Sequence, residues 1–215
     1  MFDADESFCA YIVGKRNSGK SYLLMQLLLS KDGFKDKFDR IYLINPTYQY
    51  DLKYQTIKFT QVYENFTNEL IEELIKEFEK NEEDERILLI LDDCVCEDNF
   101  KKNQSDTPLN RLAVNGRHWG VSLVILSQKY NAISSYIRSQ LDYIVLFETK
   151  NQTELKTLYE EFGFGSFKSY MKFLHKVYTD KHDIMIIDNI NNRHLKNFIP
   201  LNNINDSDSS SEHSD

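Results

Sequence analysis

Gly14-Lys15-Arg16-Asn17-Ser18-Gly19-Lys20-Ser21 meets the pattern G-x-x-x-x-G-K-[ST] at every fixed position. Its surroundings weigh as much as the string. Phe8 to Val13 reads as a strand, and a leucine-rich helix runs from Ser18 to Ser30. A strand that turns into a helix through a glycine loop presents backbone N–H groups and a helix N-terminus to an anion. Gly14 and Gly19 admit close approaches and backbone conformations that a Cβ would block. In such a loop Lys20 brings a compact charge to the β- and γ-phosphates of a nucleotide, and Ser21 offers a hydroxyl to Mg2+. Gly14, Lys15, Arg16, Asn17, Ser18, Gly19, Lys20 and Ser21 are therefore the candidate nucleotide-binding residues.

Outward from this loop, short strand-like runs alternate with helical ones, the pattern of a three-layer α/β fold around a mainly parallel sheet. Arg40 to Asn45 reads as a strand stopped at Pro46, and Ile57 to Phe59 as a short edge strand. Asn68 to Lys80 reads as an amphipathic helix, because Leu70, Ile71, Leu74, Ile75 and Phe78 recur at three and four. Arg86 to Leu91 lacks alternation and reads as a central strand buried on both faces. A polar loop from Cys94 to about Thr107 precedes a helix at Pro108 to Arg117, a strand at Ser122 to Ser127, a short helix at Ser134 to Gln140 and a strand at Asp142 to Glu148. Helices at Gln152 to Phe162 and Ser166 to Thr179 form a small helical C-terminal extension, and Asp183 to Asp188 reads as a last strand. The expected organisation is one domain over 1–200, followed by a disordered acidic, serine-rich tail over 201–215.

A hydrophobic share of 41% and a charged share of 28% in 215 residues exclude collagen-like, coiled-coil-only and wholly disordered chains. The longest apolar runs, such as Ile87 to Leu91, hold about five residues, against about 20 for a membrane span. Asp3, Asp5 and Glu6 stand where a leader would begin. Three cysteines do not make a disulfide framework, so a reducing compartment is expected. The net charge is −8, and the tail contributes Asp206, Asp208, Glu212 and Asp215 without a base. An acidic chain can bind nucleic acid only through a local basic patch. The basic candidates, Lys101, Lys102, Arg111, Lys129, Lys150, Lys156, Lys168 and Lys172, are scattered.

The second half of a nucleotide site should be an acid that ends a buried strand. Ile87 to Leu91 leads directly into Asp92 and Asp93. Asp92 is the candidate Mg2+ ligand beside Ser21, and Asp93 the candidate base for an attacking water. Gln128 follows the strand at Ser122 to Ser127, and strand C-termini line the ligand crevice of a parallel sheet. It is the candidate sensor of a γ-phosphate. Arg117 and Arg138 are the candidates for stabilising charge on the transferred phosphoryl group, either one reaching a neighbouring subunit. Cys94 and Cys96 are too few for a zinc site. Of the histidines, His175, His182, His194 and His213 read as polar surface residues.

Together these segments resemble the poxvirus-type DNA-packaging ATPases of large eukaryotic DNA viruses and virus-like transposons, within the FtsK–HerA group of P-loop NTPases. The resemblance covers about residues 8 to 150. It rests on the loop near the N-terminus, on Arg40 to Tyr48 with its proline turn, on Leu91-Asp92-Asp93, and on Asn115-Gly116-Arg117-His118 followed by the Gln128-tipped strand and Tyr130. Ile137-Arg138 before Asp142 to Phe147 is similar to the family's arginine-containing turn. The resemblance implies Mg2+-dependent ATP hydrolysis by a homo-oligomeric ring, with His118 near its subunit interface. It also implies double-stranded DNA as cargo, a capsid or portal component as partner, and residence in the host cytoplasm, a viral factory, the virion or the nucleus. A P-loop small-molecule kinase and a nucleotide-binding switch are the alternatives. The region after the fourth strand lacks the arginine cluster of a kinase lid, and no Asn-Lys-x-Asp guanine reader ends a strand.

Overall fold

In a computed structural model the described residues are 2–81, 85–94 and 107–201. They form β1 (Cys9–Val13), α1 (Lys20–Leu29), β2 (Arg40–Ile44), β3 (Gln61–Tyr63), α2 (Asn68–Phe78), β4 (Ile87–Asp92), α3 (Pro108–Asn115), β5 (Val121–Ser127), α4 (Ser135–Arg138), β6 (Tyr143–Phe147), α5 (Gln152–Phe162), α6 (Phe167–Val177), β7 (Ile184–Asp188), β8 (Arg193–Lys196) and β9 (Ile199–Pro200). Among the described residues the strands make one nine-stranded sheet in the order β3-β2-β4-β5-β1-β6-β7-β8-β9. The pairings from β3 across to β6 are parallel, and those joining β6, β7, β8 and β9 are antiparallel.

Both sheet faces are covered, which is why the central strands read as unbroken apolar runs. Tyr11, Leu89, Leu91, Ile125 and Ile144 face one layer with the buried sides of α2, α3, α5 and α6. Ile12, Leu88, Ile90, Val124 and Val145 face the other with α1. Phe2, Phe8 and Phe34 close that second layer against Tyr143, with Phe2 and Tyr143 ring centres 4.7 Å apart.

α2 shows how local chemistry sets an element. The Thr67 hydroxyl accepts from Leu70 N at 3.1 Å and caps its start. Glu69 in the first turn and Lys76 in the last suit the helix dipole. Ile71, Leu74, Ile75 and Phe78 are buried, each contributing about 1.5–3 kcal/mol. α3 starts the same way, with Thr107 as cap and Pro108 at its first position.

The edge strand lies at Gln61–Tyr63 rather than at Ile57 to Phe59. A short 3-10 helix, Leu52–Thr56, ends against Ile57. Ile57 and Phe59 turn inward onto the α1-side core, Phe59 against Tyr54. Pairing with β2 begins only where Thr60 N donates to the Ile41 carbonyl at 2.7 Å. α3 stops at Asn115, and Gly116–Trp119 continues as a 3-10 turn. The helical C-terminal part is α5 and α6, after which β8 and β9 add sheet beyond the last strand expected. Most of the expected 94–107 loop, with Cys96, Lys101 and Lys102, lies outside the described residues, as do tail residues 202–215 with His213.

Candidate functional site

β1 delivers the glycine loop to the C-terminal edge of the parallel strands. Gly14 N donates to the Ser127 carbonyl at 3.1 Å, tying the loop to the end of β5. A Cβ on Gly14 would come within 2.5 Å of Ser18 Oγ and 2.8 Å of Phe147 Cβ, so no side chain fits. Asn17 (φ 62°) and Gly19 (φ 112°) take left-handed conformations that curl the loop before α1. Asparagine tolerates this better than most residues, and glycine best of all. Ser18 Oγ is buried with no partner among the described residues. Lys20 is buried, and its ammonium donates to the Gly14 carbonyl at 2.6 Å and to the Lys15 carbonyl at 3.3 Å.

Burial pushes the Lys20 pKa down, and the carboxylates of Asp92 and Asp93 work against that shift. The three side chains thus feel one another across a single crevice. β5 lies between β1 and β4, so loop and acids stand two strand spacings apart, about 10 Å. Asp92 ends β4 as a buried side chain, and burial raises its pKa to about 6. Its Oδ2 accepts from Tyr54 Oη at 2.6 Å and from Asn45 Nδ2 at 3.4 Å. The Ser21 hydroxyl lies close enough to the Tyr54 phenol to act on it. Ser21 and Asp92 therefore converge as oxygen donors, a set that suits Mg2+.

Asp93 is exposed and in the left-handed region (φ 57°), which turns it out of the strand line. Gln128 Nε2 donates to Asp93 Oδ1 at 3.2 Å. A cavity of about 120 Å3 beside the loop is lined by Gly14, Lys15, Gln128, Tyr130, Phe147 and Glu154, among others.

The arginines are elsewhere. Arg117 is exposed, and its charge acts on Cys9 and Asp142, at the opposite, N-terminal ends of the strands. A five-residue strand sets that edge about 17 Å from the crevice. Arg138 is tied down: Nη2 donates to Glu161 Oε1 at 2.9 Å and Nη1 to the Ile133 carbonyl at 2.9 Å, with the guanidinium 5.3 Å from the Tyr130 ring centre.

Three residues of the crevice were not anticipated. Asn45 directly follows β2, and the rule that strand C-termini line the crevice would have found it. Tyr54 has no such signal. His182 is exposed, as expected, but it also places Nδ1 3.0 Å from the Ser18 carbonyl. His194 is half-buried against Phe173, and burial lowers its pKa. Cys94 Sγ donates to the Ile44 carbonyl at 3.1 Å. No group of three or more metal-ligating residues occurs among the described residues.

A glycine loop between β1 and α1, faced by a strand-ending carboxylate across a parallel sheet, defines an α/β nucleotide-binding protein of the P-loop class. Residues 4–206 match the family described as Poxvirus A32 protein, and the chain belongs to that family. It is 30% identical to uncharacterized protein 075L of invertebrate iridescent virus 6 over 78% of this chain and 67% of that one. It is 27% identical to uncharacterized protein 015R of frog virus 3 over 83% of this chain and 55% of that one. The chain thus spans between about half and two thirds of these relatives. Its fold is shared by the genome packaging NTPase B204 of Sulfolobus turreted icosahedral virus 2, solved in complex with ATP-gammaS. That match has a TM-score of 0.67 and 20% identity, over 93% of this chain and 100% of the other. No helix among the described residues is long and apolar enough to cross a membrane.

Proposed function

We propose that this protein is an ATP-hydrolysing motor that moves double-stranded DNA into a viral capsid, with residues 1–200 as its catalytic unit. One observation carries the reading: the glycine loop, Asp92, Asp93 and Gln128 meet at the C-terminal edge of β1, β4 and β5. Family membership and the shared fold with a genome packaging NTPase support it.

The loop residues Gly14 to Ser21 cradle the phosphates with backbone N–H groups. Lys20 leaves the Gly14 carbonyl for the β- and γ-phosphate oxygens. Ser21 and Asp92 would hold Mg2+, which when bound would neutralise phosphate charge. Asp93 takes a proton from the attacking water as the water oxygen bonds to the γ-phosphorus and the bond to the ADP oxygen breaks. Gln128 orients Asp93 through its 3.2 Å hydrogen bond and senses the γ-phosphate from the strand between loop and acid. A charge donor from a neighbouring subunit must be exposed. Arg117 meets that condition, whereas the guanidinium of Arg138 is held within its own chain. Arg117 thus serves a neighbour in a homo-oligomeric ring, working with a capsid or portal component in the host cytoplasm, nucleus or virion.

ATPase rate with and without double-stranded DNA tests the reading. DNA should raise turnover, and Lys20→Ala should abolish nucleotide binding. Stimulation by a nucleoside acceptor in place of DNA would make the protein a kinase.

A further inference from the structure

β7 runs antiparallel to β6, with Ile184 opposite Phe147. Its N-terminal end therefore returns to the edge where β1 opens into the glycine loop, and His182 lies two residues before it. A carbonyl oxygen only accepts, so at 3.0 Å from the Ser18 oxygen His182 Nδ1 carries the proton and donates. The imidazole and Phe147 flank Gly19: a Cβ built there would lie 3.6 Å from His182 Nδ1 and 3.4 Å from Phe147 Cε1.

The contact falls on the peptide bond between Ser18 and Gly19. A trans peptide is planar, so its C=O and N–H point in opposite directions. Holding the Ser18 carbonyl toward His182 aims the Gly19 N–H to the other side. Glycine opposes rotation of that peptide less than any other residue, and Gly19 sits at φ 112°. An outside anchor is what selects one orientation.

The anchor is itself fixed. Buried Asp183 accepts from Thr179 N at 2.9 Å, Asp180 N at 2.8 Å and Asn197 Nδ2 at 2.7 Å, and pairs with Lys196 Nζ at 3.0 Å. These bonds lock the residues around His182 to the β8–β9 turn.

We propose that His182 is a positioning residue for nucleotide binding: its Nδ1–H fixes the Ser18–Gly19 peptide so that the Gly19 N–H faces the phosphates. This rests on the glycine loop being the nucleotide site. It acts on ground state and transition state alike, so it should appear in affinity rather than turnover.

The test uses the full chain, ATP-gammaS titration, and steady-state kcat and KM for ATP. His182→Ala should weaken ATP-gammaS binding and raise KM about tenfold, the size of one hydrogen bond, with kcat changed less than about twofold. His182→Asn, whose side-chain amide can donate from a similar position, should restore affinity to within about threefold of wild type. A merely structural role would not distinguish Ala from Asn at equal thermal stability. Unchanged affinity in His182→Ala, or an Asn variant as weak as Ala, overturns the inference. Wild-type protein that fails to bind ATP-gammaS, or Lys20→Ala that binds as tightly as wild type, removes the reading of the loop and this inference with it. Wild type binding, Lys20→Ala not, and His182→Ala unaffected would refute the His182 role alone.

Discussion

Tyr54 enters the crevice from a 3-10 turn between β2 and β3, and its phenol is fully buried while donating to Asp92. Tyr54→Phe keeps the ring and deletes the donor, leaving the longer 3.4 Å bond from Asn45 to a buried carboxylate. The expected cost is about 1–3 kcal/mol, measured as a shift in the urea midpoint without nucleotide; an unmoved midpoint would show that the bond carries no weight. Asp93→Ala should behave differently, since that side chain is exposed. Nucleotide binding should survive and hydrolysis fall by about 10²-fold or more, read by comparing ATP-gammaS affinity with turnover. Loop, Asp92, Asp93 and Gln128 were legible in the sequence because each sits at a strand terminus that a local pattern marks. Tyr54 and His182 were not, because their contacts join residues 38 and 164 positions apart and depend on how the sheet is ordered.

Most elements followed from periodicity, since a strand buried on both faces and a one-sided helix leave different apolar patterns. The misplaced edge strand fell where Ile57 and Phe59 are apolar for core packing rather than for pairing. β8 was missed because Arg193–Lys196 buries only Leu195. The hairpin it forms is held through Asp183. Burial alone would raise that carboxyl's pKa, but donors from Asn197, Asp180, Lys196 and Thr179 outweigh burial and hold it below the usual carboxylate range. A depressed carboxylate contributes stability that is present above the unfolded pKa, about 4, and is lost as pH falls toward the folded value. Asp183→Ala should therefore unfold at lower urea than wild type at pH 7, and the gap should narrow below about pH 4. A gap constant with pH would assign the loss to packing alone.

At the scale of the molecule, the net charge of −8 constrains how the proposed DNA cargo would be held. Arg111, one of the scattered basic residues, is paired with Glu72 at 2.9 Å, and the proposed ring would pool such scattered cations into a phosphate-binding patch. The proposed ring would also separate the two arginines. Mixing Arg117→Ala with Lys20→Ala protein should recover part of the ATPase, because an intact Arg117 on one subunit can face an intact loop on the next. Arg138→Ala should instead lower the melting temperature, since it releases Glu161, the Ile133 carbonyl and Tyr130, and mixing should not rescue it. Recovery with Arg138→Ala alone would exchange the two assignments.

The bond between His182 and Ser18 spans 164 positions of chain, and that span has a bearing on biosynthesis. A ribosome makes the glycine loop 164 positions before the histidine proposed to steady it. Between those two points the nascent polypeptide would carry a phosphate cradle with its Ser18–Gly19 peptide still able to turn over. On that proposal, firm grip on nucleotide would be acquired only once β7 docks beside β6.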